Sequence, residues 1–397
     1  MHFCYPNKDT NKVKLQQKKQ EKMMKKATLV IFAFLILILF LVITISKKEQ
    51  QNNLGTQPSR TIQISEKNLE QSITIGAVGD ILIHDRVYND ALTNEQSQTY
   101  NFKPMLEKVK GELLKPDILL ANLETIVAGT SIGLSGYPAF NSPHEIADAL
   151  KETGVDIVTT ANNHALDRSA DGQMKSLAYL KKINMPYVGT FINVKDQQTI
   201  RIIEKNGIKV AFLSYTYGTN GIPIPKEHPY IVNMIDKNDM KKEIARAKKQ
   251  ADVIVMGIHW GKEYERFPNQ EQKDLAQFLV DEGVHIIFGG HPHVLQQMEW
   301  LTNKQGKKAL VAYSLGNFLS GQDEEYRNIG GLASVTVQKT INDGKTEIQV
   351  ENPSFFPTYN YSKKEKDYEL RPLKEANDRR LKHSYQEMMD HMMKELQ

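Results

Sequence analysis

An α/β fold in which two sheets pack face to face with helices outside is what this 397-residue chain predicts. Two observations lead there. Apolar strand-like runs alternate with helix-like stretches through most of the chain, the pattern of βαβ units with buried strands. The last third instead sets Gly-containing polar turns between alternating runs, which reads as antiparallel hairpins. Parallel units at both ends of a largely antiparallel stretch are best housed in two packed sheets.

In chain order, ITIGAVGD (73–80) is the first buried run, followed by a helix over 104–114, the run DILLANLE, and a helix over 144–153 closed by Gly154. VDIVTTAN, a helix over 172–183 and a short PYVGT strand continue the alternation. Asn206-Gly207 then sits between two apolar runs, the sequence signal of a tight hairpin. A charged helix over 237–250 precedes ADVIVMGIHW and VHIIFGGHPH, two more buried strands around the helix QEQKDLAQFLVDEG. Hairpins are expected in QQMEWLTNKQGKKALVAYSLGNFL and LASVTVQKTINDGKTEIQV. Residues 378–396 form an amphipathic helix with Leu381, Tyr385, Met389, Met392 and Leu396 on one stripe.

Ahead of the folded part lies a different composition. Eight Lys against Asp9 and Glu21 make residues 1–26 a +6 arm, so the chain's net +4 leaves about −2 for the remainder. That balance disfavours non-specific nucleic-acid binding by the folded region. Residues 27–45 carry no charge, and at about 1.5 Å per residue they approach the roughly 30 Å hydrocarbon thickness of a bilayer. A cleaved signal peptide is the alternative, but the long basic arm and the exit Thr44-Ile45-Ser46-Lys47-Lys48, without an A-x-A-like site, favour a retained single-pass anchor. The lysine excess keeps the N-terminus cytoplasmic and sends the rest to the extracellular side of the cell membrane. Residues 46–72 read as a flexible linker, 73–357 as the folded domain, and 358–397 as a charged, helical tail. Cys4 is the sole cysteine, so no intrachain disulfide supports the fold.

The candidate chemistry lies where polar residues interrupt the apolar runs at their downstream ends: Asp80, Glu124, Asn163 with His164, His259, and His291 with His293. Carboxylates, imidazoles and an amide at the carboxyl ends of buried strands describe a cleft at the rim of a sheet. The donor set suits first-row divalent cations better than calcium or thiolate-bound zinc. Each residue also has an ordinary use. Asp80 would serve as an N-cap, Asn163 as a turn residue; Trp260 is cleft wall or substrate platform, Asn317 a cleft-facing hydrogen bonder or a turn residue. His285 reads as a core histidine, and His2, His228, His383 and His391 as solvated.

GAVGDILIHDRV, ANLET, TTANNHALDRSADG, GIHWGKEYE, GGHPHVLQ and YSLGNFLSGQ resemble, in this order, the capsule-synthesis family of poly-gamma-glutamate systems, itself similar to the calcineurin-like metallophosphoesterases. The resemblance covers about residues 73–335. It implies a four-layer αββα sandwich with a site for one or two divalent ions, manganese, iron or zinc. Asp80 and Glu124 would be carboxylate ligands, Glu124 the bridge, with Asn163, His259, His291 and His293 completing the set and His164 acting as a proton donor. The metallophosphoesterase pattern has histidine where this chain has Leu82, which leaves His84 as a possible ligand, and Glu124 stands where those enzymes carry aspartate.

Three functions of different class follow. The first is an accessory protein for making or exporting a poly-gamma-glutamate capsule, beside the membrane ligase and export subunits of the synthase. The others are a metal-dependent phosphoesterase or hydrolase acting on an envelope substrate, and a binding module whose cleft, flanked by Arg168, Lys262 and Arg266, grips a polyanion without turnover. No GxxxxGK[ST] loop occurs, which sets ATP handling aside.

Overall fold

The computed structural model describes residues 69–396. The basic arm, the expected membrane span and most of the linker lie outside the described residues. Among the described residues, no helix is long and apolar enough to cross a membrane.

Among the described residues, sixteen strands follow in chain order: β1 (Leu69–Leu82), β2 (Leu92–Asn94), β3 (Thr99–Tyr100), β4 (Ile118–Leu123), β5 (Ile157–Thr159), β6 (Tyr187–Val188), β7 (Arg201–Lys205), β8 (Ile208–Thr216), β9 (Val253–His259), β10 (Ile286–Gly290), β11 (Leu295–Thr302), β12 (Lys308–Leu315), β13 (Asn317–Ser320), β14 (Ile329–Asn342), β15 (Lys345–Tyr361) and β16 (Glu369–Pro372). An eight-stranded sheet runs β16-β15-β14-β1-β4-β5-β6, with β13 pairing to β1. A six-stranded sheet runs β11-β12-β10-β9-β8-β7. Each has a parallel run: β1-β4-β5-β6 reaches one edge of the larger sheet, with antiparallel partners on its other side, and β8-β9-β10-β12 lies in the middle of the smaller one, with an antiparallel strand at each edge.

Alternation along the strands builds the layers. Ile118 and Leu120 of β4, and Val253 and Val255 of β9, enter one apolar cluster shared by the two sheets. Their neighbours Leu119, Ala121 and Leu123 pack instead with Ile146, Leu150, Leu177 and Leu180 of helices Glu145–Glu152 and Ser169–Lys182. Ile254, Met256 and Ile258 likewise face Met240, Ile244, Leu275 and Leu279 of helices Lys237–Ala247 and Gln270–Glu282. Both faces of the central strands are apolar because both are covered. The order of layers is helix, sheet, sheet, helix.

The hairpin between β7 and β8 turns at Asn206 and Gly207, with φ of 45° and 72°. The boundaries need correction. β1 begins inside the expected linker, and the expected end of the domain at 357 falls within β15, whose pairing with β14 and β16 extends the sheet to Pro372. The C-terminal helix is Tyr385–Met393, with the Ser384 side chain accepting from the Glu387 N–H. Met388 and Met392 are buried in the inter-sheet core, and Leu381, Met389 and Leu396 of the expected stripe pack against it, so Met388 joins that stripe as a second deep anchor. His391 bonds to the Leu295 carbonyl and His383 stacks on Tyr326 at 3.7 Å, so neither is the solvated histidine expected.

Candidate metal centre

The downstream ends of β1, β4, β5, β9 and β10 meet where the two sheets face each other. Asp80 lies near the end of β1, its N–H held by the Gly316 carbonyl at 2.8 Å. Glu124 follows β4, and its N–H donates to the Ile81 carbonyl at 3.0 Å, which sets the two carboxylates side by side. His259 ends β9. After β10 the chain turns sharply, and His291 and His293 adopt φ of 98° and 57°, left-handed conformations that side chains other than glycine seldom occupy. Gly290 precedes them because a Cβ there would come within 2.4 Å of Asp80 Oδ1.

Asp80, Glu124, Asn163, His259, His291 and His293 are all buried. Donor atoms of Glu124, His291 and His293 lie within 4.8 Å of one another, and so do those of Asp80, Glu124 and His259. Glu124 belongs to both groups. Its Oε1 is 3.3 Å from His259 Nε2 and 3.7 Å from His293 Nε2. Asp80 Oδ2 is 3.2 Å from His293 Nδ1, and Asn163 Oδ1 is 2.8 Å from His259 Nε2.

Charge is shared unevenly. Burial opposes ionisation of Asp80, but hydrogen bonding and attraction from His293 outweigh it and hold the carboxyl below its ordinary range. Burial likewise works against His293, yet the neighbouring carboxyls of Glu124 and Asp80 lift it to about 9, so His293 forms an ion pair with Asp80. Glu124 goes the other way: burial and the Asp80 charge push it well above the usual carboxylate range. Burial pulls His259 down to about 3 and His291 to about 2. The close approach of Glu124 to His259 is therefore not an ion pair.

Two buried polar atoms in this cluster, Glu124 Oε1 and His291 Nδ1, have no hydrogen-bond partner. Leaving such atoms unpaired is costly, and both belong to donor types that first-row divalent ions accept. A cation held by the group that contains Glu124 and His291 would give such donors a partner and favour ionised Glu124, so the residues present are compatible with divalent metal binding.

The surrounding assignments fare differently. His164 stands beside the cluster with Nδ1 2.7 Å from Asp167 Oδ2, which also accepts the Phe140 N–H at 2.7 Å. His84 belongs to neither donor group; its Nδ1 lies 3.1 Å from the Gly321 amide nitrogen. Asn317 does face the cleft: its Oδ1 is 3.1 Å from His293 Nδ1, and its amide bonds Gln322 Oε1 and the Arg327 carbonyl, so it orients a histidine. The expected substrate-contacting flank needs correction. Trp260 is 2% exposed, stacks on Tyr313 and donates its indole N–H to the Tyr313 carbonyl at 2.8 Å, making it core. Arg168 donates to the Ile132 and Gly133 carbonyls and to Ser135, tying down a loop. Arg266 lies 3.7 Å over the Tyr326 ring, and Lys262 reaches Glu265 at 3.8 Å on an exposed surface.

Asn122 and Asp167 escaped the sequence reading. Thr159 donates to Asn122 Oδ1, turning its amide towards Asp80 Oδ1 at 2.7 Å and His259 Nδ1 at 3.4 Å. Its signal was available: it is two positions before Glu124, on the same face of β4. Asp167, three residues after His164, carried a similar local cue. Tyr217 packs 4.5 Å from His291 and Tyr264 6.3 Å from His293, and both are exposed; loop tyrosines give no such sign.

Comparison with known proteins gives the geometry a family. Capsule biosynthesis protein CapA of Bacillus anthracis is 34% identical over 263 residues, covering 64% of this chain and 61% of that protein. PGA biosynthesis protein CapA of Bacillus subtilis is 34% identical over 180 residues, covering 45% and 46%. The chain thus spans about half to three-fifths of the curated relatives it matches. Among solved structures, the NAD nucleotidase NadN of Haemophilus influenzae aligns with a TM-score of 0.44 at 12% identity, over 82% of this chain and 56% of that one. Residues 74–322 match the family described as bacterial capsule synthesis protein PGA_cap, and the chain belongs to that family.

Proposed function

We propose that this chain is a membrane-anchored, extracytoplasmic accessory protein of poly-gamma-glutamate capsule biosynthesis or export, working beside the membrane ligase and export subunits of a polyglutamate synthase. The observation that carries this reading is the family match over 74–322, which contains every residue of the two donor groups. Relatives named for capsule and PGA biosynthesis support the process. The uncharged stretch 27–45 behind a basic arm supports the anchor and its orientation. One or two divalent ions, manganese, iron or zinc, would be held by Asp80, Glu124, Asn163, His259, His291 and His293, with Glu124 shared. When bound, such ions polarise an oxyanion and lower the pKa of coordinated water. Asn122 and Asn317 orient the donors around them.

Capsule output in cells lacking the native protein tests this. The parent chain should restore it, and Glu124→Ala or His293→Ala should not, although both reach the membrane. Normal capsule from a variant stripped of metal would overturn the role given to the centre. Protease added to intact, wall-stripped cells should remove the folded domain and spare the arm; full protection would overturn the topology.

A second reading, metal-dependent phosphoester hydrolysis, is favoured by the His164–Asp167 pair, which fixes one imidazole nitrogen and frees the other to move a proton. There His164→Asn should keep the metal and lower turnover by about 10² to 10⁴. Absence of hydrolysis in the metal-loaded parent would remove this reading and leave the first standing.

A further inference from the structure

His84 differs from the clustered histidines in what its ring must satisfy. The parallel pair β1 and β13 aligns Asp80 with Asn317 and Leu82 with Ser320, and just beyond it His84 meets Gly321. The ring packs edge-on against Phe140 at 5.1 Å, and Phe140 packs edge-on against His164 at 4.7 Å, so the two histidines flank one buried ring on the same rim.

His84 Nδ1 faces two backbone groups at once, the Leu82 carbonyl and the Gly321 amide, each at 3.1 Å. They demand opposite tautomers. The carbonyl would accept from Nδ1–H, leaving a lone pair on Nε2, the form in which a carbonyl-held histidine binds metal. The amide can only donate, so it needs the lone pair on Nδ1 and puts the proton on Nε2. The amide prevails, because its hydrogen is fixed and Gly321 is buried: an Nδ1–H would set hydrogen against hydrogen and orphan that donor. A carbonyl with an unused lone pair is the commoner and milder defect. Gly321 makes the approach possible, since a Cβ there would lie 2.7 Å from His84 Cβ. Burial lowers the ring to about 4, so it is neutral under ordinary conditions. Among the described residues, Nε2 has no protein hydrogen-bond partner.

We propose that His84 is a neutral Nε2–H donor to an oxyanion bound at the metal centre, and not a metal ligand. The assignment rests on the metal-centre reading above. The ligand class is a phosphate or carboxylate oxygen, both of which accept from an imidazole N–H in the same way.

The test uses the full chain in detergent, with metal content measured first and inorganic phosphate and free glutamate then titrated separately by calorimetry. His84→Ala should retain the parent's metal and bind the recognised anion about 3- to 10-fold more weakly, the worth of one neutral hydrogen bond. His84→Gln, which keeps an N–H, should stay within about twofold of the parent. A loss confined to phosphate supports a phosphoester oxygen, and one confined to glutamate supports a carboxylate. Loss of metal from folded His84→Ala, or unchanged affinity for both anions, overturns the proposal. Nitrogen NMR of the metal-free chain decides the tautomer independently: Nε2–H is expected, and Nδ1–H refutes it. A parent chain that binds no metal would refute the metal-centre reading, while the NMR result would still judge His84 on its own.

Discussion

The buried ends of the central strands and the cationic flank around them behave in opposite ways. Asp80, Glu124, His259, His291 and His293 come from four separate segments and converge on one cluster. Arg168, Lys262 and Arg266 were expected to line the same cleft, yet each turns to a local partner: a loop, a neighbouring glutamate, an aromatic ring. Short side chains at strand ends have little choice of direction once the strands are parallel and the sheets are stacked. Long cationic side chains have several torsions and settle on whatever acceptor the tertiary structure brings within reach.

The sharpest way to break this contrast is to remove part of the cluster. His291→Ala combined with His293→Ala should abolish binding of manganese, iron or zinc, with circular dichroism unchanged, because rim ligands contribute little to the apolar core. Full metal content in the double variant would place the ions elsewhere.

A half-buried histidine outside the cluster offers the next largest effect. His285 sits just before β10, with Nδ1 accepting the Ile254 N–H at 3.1 Å, and burial lowers it to about 4. Its folded-state pKa is below the ordinary 6.5, so the unfolded chain binds the extra proton between those values and stability rises with pH there. The contribution is intact above about pH 6.5 and is lost as pH falls towards 4, amounting to at most ~3 kcal/mol. Chemical denaturation at pH 7 and pH 4.5 should show a smaller pH-dependent loss in His285→Gln than in the parent; an equal loss would assign the effect to other groups.

On the flank, Arg168→Ala should lower stability by about 1.5–3 kcal/mol, since its charged hydrogen bonds hold the segment around Gly133, while metal content and anion affinity stay unchanged. Weaker anion binding at unchanged stability would restore the substrate role. Lys262→Ala should be smallest, within about 0.5 kcal/mol and without effect on metal or anion binding, because its ammonium is largely solvated. A large change in either would mean that the flank belongs to the site.

The strand runs of the first two-thirds were legible because burial on both faces leaves near-continuous apolar stretches, and the β7–β8 turn because Asn206-Gly207 tolerates positive φ. The end of the domain was not. Pro353 and Pro357 mask β15 as a strand, and it pairs only because a bulge, with Asn352 at φ 52°, carries the ladder past Ser334. Asn122 was hidden for another reason: its amide direction depends on Thr159, a residue of the next strand.

By itself, then, the order of apolar runs and the polar residues at their ends determined which side chains would stand at the rim, since strand alternation and parallel pairing leave those positions one place to go. Only the tertiary structure decided which atoms of those side chains are available. Glu124 is shared between two donor groups because β9 and the turn after β10 approach it from the facing sheet. His84 Nδ1 is taken by the amide of Gly321, 237 residues downstream. Hydrogen-bond partners supplied by distant segments set tautomer, charge and direction, and no local pattern in the chain encodes them.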